Sequence, residues 1–506
     1  MKSSFRLFGI VFSALILMAS AMRTSAFALL GPIQPWMEES NGVILPWAWD
    51  IGGPMNIGEG YRWNVPVVTY GFDQSFLDYF GSNGVTAVEG AIQILNAMPP
   101  ASQNSPTNYP FDSRTNNYAA YNNQLMDLKS VVLCLLLEHL GLASPTRYIY
   151  VLPFWDPFYA TNGNVAAFDF DNWSITPPLI ERNFDPLTQL PSNYVNNILY
   201  TALISGNVEY IYVVPYTVDP GADGSSSVTD DTLGVGLLNW GWFYTGLTYD
   251  DVGGLCYLYT TNNINYETLP PGVMGTGTNG GAFVNATMRP GVDKVTFIPQ
   301  PVDARSGGFV RTTNYFVDYY VTNTVHMQQQ LARVISQPDF LFSAGDLTNN
   351  TIWEPSFWRT GTTNWINDGV PNLEGPGVIH PPVQITFNKL QRQFVSPANY
   401  PEMQIVDESQ YWGYFDNSSN LPVAYPATRT GSIQSTIHLW LSFTETNQQR
   451  FDWTTGGPYG SPYALQTSTN LHYWVTLFMA TNNGSVAVYV NQNPSSAARF
   501  YRVSPQ

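Results

Sequence analysis

Cys134 and Glu138 stand four residues apart in an apolar run, and two zinc-binding side chains at that spacing project from one face of a helix. The five histidines, His139, His326, His380, His438 and His472, form no local pair, and the H-E-x-x-H arrangement of a zinc hydrolase is absent. His139, beside Glu138, has an acid's chemistry, but a lone histidine at a helix end suits a hydrogen-bonded boundary residue. Cys134 and Cys256 are the only cysteines. In an oxidising compartment they permit one disulfide, and the alternative is two buried thiols acting as small apolar side chains. Glycoside hydrolysis needs two facing carboxylates, for which Asp169/Asp171, Asp230/Asp231 and Asp339/Asp346 are available beside Trp and Tyr residues. Acidic residues in Asn/Gly-rich loops more commonly cap turns. No Gly-rich phosphate loop and no G-x-S-x-G nucleophile turn occurs. The run Gln337–Leu347 is distinctive and suggests no role.

The elements that would position these groups follow from patterning. Val65–Tyr70 reads as a strand, which Pro66 pushes toward a sheet edge. Val85, Val88, Ile92 and Leu95 recur at helical spacing until Pro99-Pro100. Asp127 is a natural N-cap for a helix from Leu128 to Leu140, apolar almost all round and therefore central. Thr248, with Asp250 and Asp251 in the first turn, starts another helix through Val252, Leu255 and Leu258. Tyr148–Leu152, Tyr210–Val214, Val295–Ile298 and Tyr315–Val321 read as strands, and a helix is expected near 325–335. The Gly/Pro/Thr-rich stretch from Pro270 to Gly280 is the best boundary in the chain. Beyond about 431, short strands separated by Asn/Gly turns predict an all-β sandwich, with Trp474 and Phe500 as candidate core aromatics.

The chain has 506 residues, of which 11% are charged, 44% hydrophobic and 15% aromatic, with a net charge of -17. An average soluble domain is roughly 25% charged. The aromatic content excludes a disordered chain, and 20 Lys and Arg against 37 Asp and Glu disfavour nucleic-acid binding. Lys2 and Arg6, the apolar run Leu7–Ala19 and the small-residue sites Ala19-Ser20-Ala21 and Ala26-Phe27-Ala28 have the order of a secretory signal peptide over 1–28. No later apolar run approaches a membrane span, so a mature chain without a span, outside the cell or at its surface, is expected.

Three pieces, in order, resemble the matrixin branch of the zinc metalloproteases: Trp63–Asp73 with the helix ending Ala91-Ile92-Gln93-Ile94-Leu95-Asn96; Asp127–Leu133 running into Glu138-His139-Leu140-Gly141-Leu142; and Leu247–Tyr259 with its Asp-Asp pair and Leu-Tyr ending. The resemblance implies an α+β zincin-like N-terminal domain over 29–270. All-β, sandwich-type material follows, as a β-rich middle region over 281–430 and a C-terminal module over 431–506. Aligned on Leu140-Gly141-Leu142, Cys134 falls at the first zinc ligand, Leu135 at the general base, Glu138 at the second ligand, Gly141 at the expected glycine and Ser144 at the third ligand. Leu135 cannot take a proton, no Met-turn follows, and the insertion before the closing helix is long. Leu465–Trp474 with Arg499–Val503 looks like a β module that ends many exported bacterial proteins. The resemblances imply a secreted, non-catalytic binding or structural protein of bacterial type, with no catalytic residue and no cofactor. Its expected partner is an extracellular protein or a polysaccharide. The alternatives are a zinc endopeptidase with Cys134 and Glu138 as non-standard ligands, and a carbohydrate-binding or glycoside-processing exoprotein.

Overall fold

The computed structural model describes residues 25–32, 51–151, 179–206, 211–222, 226–230, 238, 240–276, 283–344, 360–367, 376–387, 392–393, 406–407, 411–425, 437–443, 449–455, 462–469, 473–481, 487–491 and 499–505. Three helices of eleven or more residues stand among many strands, so the fold is β-rich: α1 Gln74–Ala97, α2 Leu128–Glu138 and α3 Tyr249–Tyr259.

The centre is a mixed sheet in the order Thr296–Pro299, Val67–Phe72, Phe340–Ser343, Gly377–Thr386, Thr360–Asn367, with only the last strand antiparallel to its neighbour. Val67–Phe72 is interior to this sheet, not at an edge. Pro66 is tolerated because it precedes the first paired residue, and its carbonyl accepts from Thr296 N at 2.9 Å. Each helix forms where its cap dictates. Asp73 accepts from Phe76 N at 2.9 Å to start α1, which is longer than its apolar pattern and kinks at Gly81, where φ is 60°. Asp127 accepts from both Ser130 N and Ser130 Oγ to start α2. Thr248 and Asp251 form a reciprocal capping box on α3. Helices α1 and α2 pack on each other, and one core runs from Phe27 through Trp63, Phe76, Leu135 and Phe340 to Tyr425.

The boundary expected between 270 and 281 meets one antiparallel sheet: Ile264–Thr268 precedes the stretch, Val273–Gly275 lies within it, and both belong to the order Ile264–Thr268, Ala286–Pro290, Thr312–Thr322, Val325–Ile335, Val273–Gly275. Strands from the expected middle region also complete the central sheet around Val67–Phe72. The helix expected near 325–335 is a strand, paired along its whole length with Thr312–Thr322. Asn323 and Thr324 both have positive φ, the backbone of a tight two-residue hairpin, and this long-range pairing overrides the helix-forming Gln-Gln-Gln-Leu-Ala-Arg. Tyr148–Val151, the described part of the expected strand Tyr148–Leu152, is not a strand either: Pro145–Tyr148 is one helical turn, and Val151 makes an isolated bridge to Ile180, while Leu152 lies outside the described residues.

Of the expected leader, residues 25–28 lie among the described residues. Phe27–Gly31 is a strand between Gly53–Met55 and Leu142–Ala143, and Ser25 through Leu30 are buried. The site Ala26-Phe27-Ala28 therefore lies inside the folded body, whereas Ala19-Ser20-Ala21 lies outside the described residues. At the other end, two three-stranded sheets, Ile437–Phe443/Gln449–Thr455/Ala487–Asn491 and Val475–Thr481/Pro462–Ser468/Phe500–Pro505, contribute Phe451 and Leu465 to a shared core with Tyr489, Tyr501 and Val503. Phe500 is 46% exposed and is not a core aromatic. Trp474 lies under the Arg502 guanidinium at 4.2 Å, a cation–π contact. Among the described residues no helix is long and apolar enough to cross a membrane.

Candidate functional site

Helix α2 is buried on every face, from Leu128 to Glu138, because it lies between α1 and the strands beside Tyr244 and Trp412. Cys134 and Glu138 are brought together: the thiol donates to Glu138 Oε1 at 3.7 Å. Both cysteines are free thiols, so the bridge between Cys134 and Cys256 does not form. Burial pushes the Cys256 thiol up to about 11, out of the range of a reactive thiolate at neutral pH. Leu135, at the position of the expected base, is 1% exposed within the core. His139 turns its Nδ1 to Leu135 O at 2.7 Å and lays its ring against the edge of Phe340, while Trp63 Nε1 donates to its carbonyl at 2.8 Å. Gly141 has φ 103°, and a Cβ there would fall 2.0 Å from Tyr61 O, so this glycine ends the helix by necessity. Ser144, at the position of a third ligand, caps the next turn through Arg147 N and donates to Asp230 Oδ1 at 3.1 Å. Among the described residues no three His, Cys, Asp or Glu side chains are grouped to hold a metal ion. The two donors on α2 are, among the described residues, a hydrogen-bonded pair in the core, two of the three or four ligands that zinc needs.

The Asp-Asp pair of α3 ties together segments far apart in sequence. Asp250 accepts from the Ser25 hydroxyl and from Asn196 N at 2.6 Å. Asp251 accepts from Ser227 Oγ at 2.7 Å and from Thr248 N at 2.8 Å. Asp230 accepts from Thr146 N at 2.9 Å, and its Oδ2 has no hydrogen-bond partner among the described residues. Burial, with Asp251 nearby, pushes Asp230 up to about 7 and holds Asp250 well above the carboxylate range. These carboxyls are enclosed, so they hold segments together and offer nothing to a substrate. Asp231, Asp346, Asp169 and Asp171 lie outside the described residues.

Asp339 is not a catalytic acid. Its carboxylate is buried in an ion pair with Arg333, accepts from Arg333 Nη1 at 2.9 Å and from Thr69 N at 2.8 Å, and so locks Phe340–Ser343 beside Val67–Phe72. This gives the described part of the 337–347 run, 337–344, a structural role: an ion-paired start, then Phe340 and Phe342 in the core. Two further buried pairs, Arg62 with Glu267 at 2.8 Å and Arg289 with Asp318 at 3.0 Å, anchor the inner face of the antiparallel sheet. Sequence reasoning missed all three: Arg62–Glu267 and Arg289–Asp318 join residues 205 and 29 positions apart, and Arg333–Asp339, six apart, spans the end of a strand whose course the sequence did not reveal.

An open groove of about 530 Å³ lies where Ala286–Pro290 diverges from Thr312–Thr322, lined by Asn64, Asn262, Arg289, Asp293, Tyr319 and His326 among others. Arg289 is spent on Asp318 and on the carbonyls of Glu267, Asn285 and Val284, so its charge is not presented to a ligand. Asp293 holds Ser102 through N and Oγ, both at 2.7 Å. The groove thus offers amides, hydroxyl and ring faces beside the Asp293 carboxylate. No protein-family model, no curated protein and no solved structure matches this chain.

Proposed function

We propose that this is a non-catalytic binding or structural protein of the cell exterior, built on a matrixin-like, zincin-type scaffold whose metal-holding helix has become its core. The observation that carries the reading is α2: all eleven residues are buried, and the residue where a zinc protease keeps its base is Leu135, packed among apolar side chains. A hydrolase needs its base within reach of a water and a substrate carbonyl. A leucine enclosed by Val131, Val132 and Leu136 on its own helix meets neither condition. The scaffold part of the reading is supported by the long helix α1 following the strand Val67–Phe72, by α2 packed on it, and by the capping box of α3.

The test measures zinc content and peptidase activity on an unstructured protein substrate for the wild type, Cys134→Ser and Glu138→Ala. The expected result is zinc far below one ion per chain and no cleavage by any of the three. One zinc per chain, lost with peptidase activity in either variant, would overturn the proposal in favour of an endopeptidase with non-standard ligands.

A further inference from the structure

We infer that the outer face of the antiparallel sheet around 312–335 is a binding platform for a neutral polysaccharide. The inference rests on the reading of this chain as a binding protein and names its ligand class.

Register fixes which residues share that face. Tyr315 pairs with Ala332, Val317 with Gln330, Tyr319 with Gln328 and Val321 with His326; Met288 pairs with Val321, and Tyr266 with Met288. Side chains alternate between faces along a strand, so these residues point one way, while Glu267, Arg289, Asp318 and Arg333 point the other, where they are buried. The division is sharp in chemistry as well. The outer face of these strands carries no Asp, Glu, Lys or Arg, in a chain whose net charge is -17. It instead presents Tyr315 at 75% exposure and Tyr319 at 58%, with Tyr266, Met288 and Met274 also exposed. An exposed cluster of large apolar side chains on a folded chain marks a contact surface.

The composition of the face selects the partner. Tyr315 and Tyr319 lie on one strand with three residues between them, about 14 Å apart at the usual rise. Between and beside them stand the amides of Gln328 and Gln330. A sugar ring has an apolar C–H face and a rim of hydroxyls, so it packs on a phenol ring while its rim bonds to neutral amides and the tyrosine O–H. A protein partner's apolar core would meet the two glutamine side chains and leave them to be desolvated without compensation. An acidic glycan would be repelled by the chain's negative field and would find no free cation on this face. Tyr319, Val317 and His326 also line the groove described above, together with Arg289 and Asp318 of the other face, so the groove opens at the edge of the platform.

The experiment is retention of the full chain on insoluble cellulose, xylan, β-1,3-glucan and starch, with pectate as an anionic comparison, for the wild type, Tyr315→Ala, Tyr319→Ala and the double variant. Retention by at least one neutral glycan and none by pectate is expected, weakened by about tenfold or more in the double variant. Both tyrosines are exposed, so unchanged thermal unfolding of the variants confirms that the fold is intact. Binding of no neutral glycan overturns the inference, as does equal retention of the double variant, or a change of oligomeric state in the variants, which would assign the face to a second copy of the chain. Assaying the same preparations for peptidase separates the two readings: cleavage overturns the non-catalytic reading, whereas absent retention overturns only the platform.

Discussion

Placing a carboxylate at position 135 is the most informative perturbation of this fold. In Leu135→Glu the leucine side chain, 1% exposed, is lost from the core, at a cost of about 2 kcal/mol of burial. The new carboxyl sits on a helix buried all round. Burial of this kind raises a carboxyl by roughly 3 to 5 pKa units. At about 1.4 kcal/mol per unit, and limited to the gap between the unfolded value near 4 and the solution pH, that adds about 4 to 5 kcal/mol at pH 8. The sum, about 6 to 7 kcal/mol, is comparable with the whole stability of a typical domain, about 5 to 15 kcal/mol. Because the folded pKa is raised above the unfolded one, the electrostatic part of the penalty is absent below the unfolded value near 4 and grows as pH rises toward the folded value. Leu135→Glu should therefore be strongly destabilised at pH 8 and partly rescued at pH 5, and Leu135→Met, which conserves volume, should lose less than about 1.5 kcal/mol. Urea unfolding of the three proteins at both pH values is the assay. A Leu135→Glu protein as stable as the wild type at pH 8 would refute the argument, because it would mean that α2 has an open face at this position.

Two further outcomes follow from buried groups. Asp230, pushed up to about 7 by burial and by Asp251, contributes stability that is fully present below its unfolded pKa and is lost as pH rises through about 7. The unfolding temperature should fall from about pH 4 to about pH 7 and level off above, and Asp230→Asn should flatten that decline; an identical slope in the variant would assign it to other groups. If the chain is exported, its mature N-terminus should fall before Ser25, since a start at Leu29 removes Phe27 from the core and the Ser25 contact to Asp250. The lost phenylalanine alone is worth about 3 to 5 kcal/mol. Sequencing the N-terminus of the exported protein decides this, and a stable product beginning at Leu29 would contradict it.

The legible parts of this fold were those written in short spacing. The caps Asp127 and Thr248 and the apolar runs behind them located α2 and α3, because a helix is stabilised by contacts three and four residues away. The segment 325–335 was misread for the complementary reason: its helix-forming composition is outvoted by pairing with Thr312–Thr322, a tertiary effect that propensity does not contain. Pro270–Gly280 read as a domain break because turn residues mark a change of direction equally well within a sheet and between domains. At the site, the spacing of Cys134 and Glu138 put them on one helix face, but whether that face meets a substrate or a core depends on elements such as Tyr411–Tyr414, which packs on this helix from far along the chain. The outer face of 312–335 was invisible for the same reason, since its neutrality appears only once four strands are in register.

The parallel centre of the molecule also constrains how the chain reaches its folded state. Val67–Phe72 is flanked by Thr296–Pro299 on one side and Phe340–Ser343 on the other, so both of its hydrogen-bonding edges wait for residues synthesised over two hundred positions later. Closing such long loops before any contact repays them makes folding slow, and bare strand edges meanwhile invite association between chains. Nascent chains that stop short of Thr386 would expose an unfinished central sheet. The N-terminal half should thus be insoluble when expressed alone, and the complete chain should depend on a chaperone that holds it open until Gly377–Thr386 has arrived.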